Sequence, residues 1–183
     1  FCKMMLQQKE FAGADIRKYN SFIISCLRFF DEHYQYLAKQ RGRKALDGNG
    51  HLILYPGSGA ETYKMAYNSN STISALQVIT EKLLNLSGKD LSKEEQDYLK
   101  GFQKRIPPLN FGEIENHKVL VPAKSWERVN NTEPTQLYSV FPWGIYGVGK
   151  PDLSTALNTW KYDPDAIKFR SHVGWKQDNI FSA

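Results

Sequence analysis

Cysteine is scarce in this chain. Cys2 and Cys26 are the only two, too few for a disulfide scaffold, and neither sits in a CxxC or Cys/His spacing of the kind that builds a zinc site. The redox compartment is therefore left open by cysteine usage. No apolar run approaches the roughly 18 residues of a membrane-spanning helix, so membrane insertion is not expected, and the first residues do not read as a signal peptide. Low-complexity segments are missing as well. Basic residues are almost never clustered: the formal charge of +5 is spread along the chain, with Arg41, Arg43 and Lys44 the one tight group. Interspersed acidic residues make this a solvated surface rather than a nucleic-acid-binding stripe, which needs cations gathered on one face.

What is present is ordinary in amount and unusual in kind. With 183 residues, 41% of them hydrophobic and 23% charged, the chain is long enough for one domain with a sizeable core and shows no signature of disorder. Aromatic residues reach 13%, including four Trp and ten Tyr. Such rings fill cores, and they also pack against the apolar faces of sugars.

Helical periodicity dominates the first half. Phe1 to Phe11 carries helix formers and is closed by Gly13, with Asp15 placed to cap the next segment. From Ile16, the apolar positions Tyr19, Ile23, Ile24, Leu27, Phe30, Tyr34 and Leu37 recur at spacings of three and four, which predicts a long helix with Arg28, Asp31, Glu32 and His33 on its wetter face. Asp47 to Gly50 reads as a turn, and His51 to Tyr55 as a short extended piece. Ile73, Leu76, Ile79, Leu83 and Leu84 define another helix, capped at Ser71 or Thr72 and stopped by Gly88. Ser92-Lys-Glu-Glu95 has the capping-box pattern and opens a helix that Pro107-Pro108 ends. From Leu109 to Pro151 the chain is loop-rich, with Lys118 to Val121 its one expected strand. Short helices are then expected at Asp152 to Trp160, after Asp163-Pro164, and from Trp175 to Phe181.

The stretch that concentrates chemistry is His51 to Lys64. An apolar run enters Pro56, Gly57 and Gly59, so the backbone turns sharply and can approach a ligand closely, and one carboxylate, Glu61, comes directly after. An acidic residue near a helix start also has a plain electrostatic reading, so Glu61 alone does not decide for catalysis.

Pattern adds to it. Pro56-Gly-Ser-Gly-Ala-Glu61-Thr-Tyr, Asn68 and the helix to Leu86 resemble the Pro-x-x-Ser-Pro-Glu-Asn segment and its adjoining helix in the six-hairpin, (α/α)6-toroid glycosidases, the family that includes inverting 1,2-α-L-fucosidases. Further landmarks occur in the same order: Ile106-Pro-Pro-Leu109, Gly112, Trp126, Glu133-Pro-Thr-Gln-Leu137-Tyr138, Phe141-Pro-Trp-Gly144 and Gly174-Trp175. There are departures. Ala60 and Thr62 stand where the family has proline and asparagine, Glu133 to Gln136 replace a histidine-rich loop, and Arg170-Ser-His172-Val occupies the position of the family's aspartate.

The resemblance implies an all-α fold forming part of an (α/α)6 toroid, residues 1–183 being a single fragment of the catalytic domain, and a secreted or periplasmic, inverting glycosidase acting on a plant or host polysaccharide. It implies no metal and no organic cofactor. Glu61 would be the general acid, with a pKa raised by partial burial against Tyr55 and Tyr63. Asp178, one turn after Trp175, and Glu133 are the candidates for the base, each with a capping or solvent-facing role as the competing reading. Tyr55, Tyr63, Gln136, Trp143, His172 and Trp175 are the expected sugar contacts, Trp143 because the Phe-Pro-Trp-Gly turn places it in a loop. The family's water-activating asparagine lies upstream of this stretch, so the remainder of the polypeptide is expected to complete the site. Two rival readings are a carbohydrate-binding protein that has lost hydrolysis and a plain helical scaffold.

Overall fold

The computed structural model describes residues 1–86, 90–171, 174 and 176–183. The chain divides into two compact units, residues 1–53 with 76–107, and residues 54–75 with 108–183.

The first unit is helical. α1 (Cys2–Ala12) ends where Gly13 takes a left-handed φ of 65° and its N–H bonds back to Lys9, a conformation that costs glycine nothing. α2 (Arg17–Gln40) follows the predicted period and buries Ile23, Ile24, Leu27 and Tyr34. Asp15, two residues before it, accepts from the Arg17 N–H at 3.0 Å and so satisfies the first amide of the helix. α3 (Asn70–Leu84) contributes its second half to this unit, burying Leu76, Ile79 and Leu83. Its expected stop, Gly88, lies outside the described residues. α4 (Lys93–Arg105) opens on the predicted capping box, the Ser92 hydroxyl accepting from Glu95 N and the Glu95 carboxylate from Ser92 N. Leu99 and Phe102 are its fully buried residues. Asp31, expected on the wet face of α2, is instead buried and paired with Arg105.

The second unit mixes strands with short helices. β1 (Gly57–Gly59), β2 (Tyr63–Ala66) and β5 (Arg128–Val129) form an antiparallel sheet in the order β1-β2-β5, with a bulge between Gly57 and Ser58. β3 (Phe111–Ile114) and β4 (His117–Leu120) form a hairpin across Glu115 and Asn116, both left-handed. α5 (Leu153–Tyr162) packs on β4: the Leu120 N–H donates to Thr159 Oγ1 at 2.8 Å, and His117 stacks on Tyr162 with centroids 4.1 Å apart. Leu120, Tyr146 and Ala156 form a small core with Leu109, Val140 and Ile145 around it. A 3-10 turn (Thr135–Ser139), α6 (Pro164–Lys168) and α7 (Asp178–Ser182) complete the described elements.

Among the described residues the chain is thus helix-rich, as its periodicities predict, but five short strands make it mixed rather than purely helical. The strands escape an all-α reading because none is longer than four residues, too short to display a period, and β1 is Gly-Ser-Gly, which has little β propensity of its own.

Candidate functional site

β1 and β2 are joined by Ala60, Glu61 and Thr62, with Thr62 N–H bonded to Gly59 O at 3.1 Å and Ala60 at φ 46°. The Pro/Gly stretch therefore makes a hairpin rather than an open loop. Gly59 does serve a close approach, but to the protein itself, since a Cβ there would lie 2.8 Å from Thr135 Oγ1. Thr62 is buried and fastens the turn to the segment 130–133. Its carbonyl accepts from Asn130 N at 2.7 Å, and its hydroxyl from Glu133 N at 3.1 Å.

Glu61 itself is exposed, and its Oε2 accepts from Asn131 Nδ2 at 3.2 Å. The expectation that it is partly buried is corrected: the tight turn sends Thr62 and Tyr63 inward and leaves Glu61 pointing out. Nor do the flanking tyrosines wall it in. Tyr55 is half-buried, its ring 6.0 Å from Tyr67 and its hydroxyl donating to Glu127 at 3.4 Å.

Tyr63 is wholly buried and donates to Asp165 Oδ2 at 2.8 Å, with Gln136 Oε1 at 3.5 Å. Burial, and then the Asp165 hydrogen bond, push its phenol pKa far upward. Gln136 is equally buried and donates from Nε2 to Asp163 Oδ1 at 2.6 Å. The resemblance makes both residues sugar contacts. Their polar atoms instead face each other and two aspartates, so they tie β2 and the 3-10 turn to α6. Trp143 is half-buried in the turn after cis-Pro142, in keeping with its loop placement. His172 and Trp175 lie outside the described residues.

Glu133 is half-buried and accepts from the Tyr138 hydroxyl at 3.2 Å. The Tyr138 pKa is raised by burial first, then by Glu133, and further by Glu61, so both carboxylates act on one phenol. Lys176 reaches back to the same loop, donating to the Thr132 carbonyl and to Thr132 Oγ1 at 2.8 Å. With Glu133, Pro134, Tyr138, Gln177 and Phe181 it lines a cavity of about 10 Å³, room for a single water and not for a sugar.

Asp178, the first residue of α7, is 5% exposed. One oxygen accepts from Ser171 N at 3.3 Å, while Oδ1 is buried without a partner, as is Oε1 of neighbouring Gln177. A buried, half-satisfied carboxylate is costly and is the kind of group that concentrates at functional sites.

The geometry thus gathers Glu61, Glu133 and Tyr138 electrostatically and brings the stretch of chain carrying Asp178 beside Glu133. It does not enlist Tyr63 or Gln136. Asn131, Tyr138 and Lys176 are additions: Tyr138 closes the Glu133–Tyr138 motif of the sequence, whereas nothing in the local sequence marks Asn131 or Lys176. Among the described residues, no group of three or more His, Cys, Asp and Glu side chains is placed to hold a metal ion, and no helix is long and apolar enough to cross a membrane. No protein-family model matches the chain, and no curated protein or solved structure matches it significantly.

Proposed function

We propose that this chain is part of an inverting glycoside hydrolase of the (α/α)6-toroid class, secreted or periplasmic, acting on a plant or host polysaccharide. Glu61 protonates the leaving glycosidic oxygen, and Asp178 draws a proton from the attacking water. The remainder of the polypeptide supplies the walls of the cleft and the asparagine that helps to hold that water.

Asp178 is the observation that carries the reading. Its carboxylate is held out of solvent with one oxygen unpaired, a state that lowers stability and makes sense where that oxygen receives a water or hydroxyl. Glu133 is the alternative base, kept in place by Tyr138. Inversion requires acid and base on opposite faces of the sugar ring, far enough apart to admit the water, and general acid catalysis contributes about 10² to 10⁴-fold.

The exposure of Glu61 favours a second reading, a carbohydrate-binding protein without hydrolysis. A general acid needs partial desolvation, and the described residues around Glu61 do not supply it.

The test is to screen the polypeptide carrying this chain against α-L-fucosides, galactosides and arabinosides, following the anomeric configuration of the released sugar by NMR. Release with inversion that falls roughly 10² to 10⁴-fold in Glu61→Gln supports the hydrolase. Poor leaving groups should suffer most, since an acidic phenol departs with little protonic help. Glycan binding without release, or equal activity of Glu61→Gln and wild type, transfers support to the second reading.

A further inference from the structure

The two cysteines come from different helices and meet. Phe1 packs edge-on against Phe22, ring centroids 5.7 Å apart at an interplanar angle of 87°. Phe22 and Cys26 are one turn apart on α2 and share a face, so the contact brings the start of α1, with Cys2 directly after Phe1, to the stretch of α2 that carries Cys26. Cys26 lies close enough to act electrostatically on the Cys2 thiol, both thiols are free, and both are half-buried and within reach of a small reagent. Burial, and then the Cys26 contact, push the Cys2 pKa up to about 11. Reaction at neutral pH is accordingly slow without a catalyst.

α1 has much to gain from a covalent tie. Its single buried residue is Leu6. Its polar anchors include the Lys9–Asp90 pair at 3.0 Å and the Glu10–Lys82 pair, and such partly exposed pairs contribute little.

We propose that Cys2 and Cys26 form an intramolecular disulfide that staples α1 to α2 when the chain meets a disulfide oxidant, either oxidised glutathione or an oxidised dithiol oxidoreductase. One cysteine thiolate attacks the oxidant's disulfide and expels a glutathione thiolate. The second cysteine thiolate then attacks the mixed disulfide at the protein sulfur and expels the other glutathione. In sum, two protein thiols and one glutathione disulfide become one protein disulfide and two glutathione thiols, the protein losing two electrons and the oxidant gaining them. The staple stands independently of the glycosidase reading.

The experiment incubates the reduced, folded chain with oxidised glutathione at mildly alkaline pH, quenches with acid, alkylates remaining thiols and measures intact and peptide masses. The expected product is a monomer lighter by two hydrogens, its Cys2 peptide joined to its Cys26 peptide. Its closure from the mixed disulfide, measured as disulfide formed per glutathione adduct, should be roughly tenfold or more faster in the folded chain than in urea, because the fold raises the effective concentration of one thiol at the other. Amide exchange in α1 should slow on oxidation in wild type and not in Cys26→Ser. Persistent glutathione adducts on both cysteines, a disulfide-linked dimer, two alkylatable thiols after oxidation, or equal rates in urea and in the folded state would each overturn the proposal.

Discussion

Arg105 closes on the carboxylate of Asp31 from 74 positions later in the chain, Nε donating to Oδ1 at 3.2 Å and Nη2 to Oδ2. The aspartate side chain is 6% exposed and the arginine 29%, so the pair is a fork set on a largely buried charge. Removing one partner of such a pair leaves the other unmatched out of water. Arg105→Ala should therefore lose about 3 kcal/mol in urea unfolding, and Arg105→Met combined with Asp31→Leu should recover most of that loss. Additive single losses in the double variant would count against the pair.

Asp163 has a distinct pH signature. It caps α6, Oδ1 accepting from Ala166 N at 2.7 Å and from Gln136, yet burial raises its pKa above the ordinary 3.8. The folded state then binds a proton more tightly than the unfolded chain does. This contribution to stability is greatest at acid pH and is lost as pH rises from about 3.8 through the raised value. Asp163→Asn keeps an acceptor and removes the buried charge. Its melting temperature relative to wild type should become more favourable between pH 3 and pH 7, and a difference that shrinks or reverses with pH would contradict the assignment.

Gly59 is irreplaceable for a reason outside its own backbone. An added methyl meets Thr135 Oγ1 at 2.8 Å and the Tyr63 ring at 3.2 Å. Gly59→Ala should cost about 1 to 3 kcal/mol. Thr135→Ala in the same chain should return part of it, because the Thr135 hydroxyl is buried without a partner and is itself no asset. A thermodynamic cycle of the four proteins measures the coupling.

Asp178 and Glu133 can be separated by setting stability against turnover. Neutralising a group retained for function removes activity while relieving a desolvation cost. Asp178→Asn should hold or raise the melting temperature and lower glycoside hydrolysis roughly 10² to 10⁴-fold. Glu133→Gln should leave hydrolysis within about tenfold, since a neutral amide still accepts from Tyr138. The opposite pattern would make Glu133 the base.

The helices are legible in the sequence where local rules govern. The i, i+3, i+4 apolar spacing of α2, the capping box at Ser92 and the stop at Gly13 all appear where those residues dictate. The strands are not, because partners such as Gly57 with Ala66, or Tyr63 with Val129, are fixed by pairing geometry and not by any property of three or four residues. The β3–β4 turn does carry a faint signal in Asn116, a residue that tolerates the left-handed conformation. At the candidate site, residue types point to Glu61 and Asp178, but they do not say which neighbour is buried. Glu61 sits in the turn itself, exposed beside the consecutive buried residues Thr62 and Tyr63, and that outcome follows from how the turn is fastened to the segment 130–133 rather than from any periodicity in the sequence.

The double grip of Thr62 makes the turn of Glu61 and the loop of Glu133 one mechanical part. Carbonyl and hydroxyl of a single residue hold Asn130 and Glu133, and Asn131 is bonded to Glu61 itself. The backbone that carries one carboxylate is tied to the backbone that carries the other, so a ligand that displaces one segment strains the bonds that hold the second.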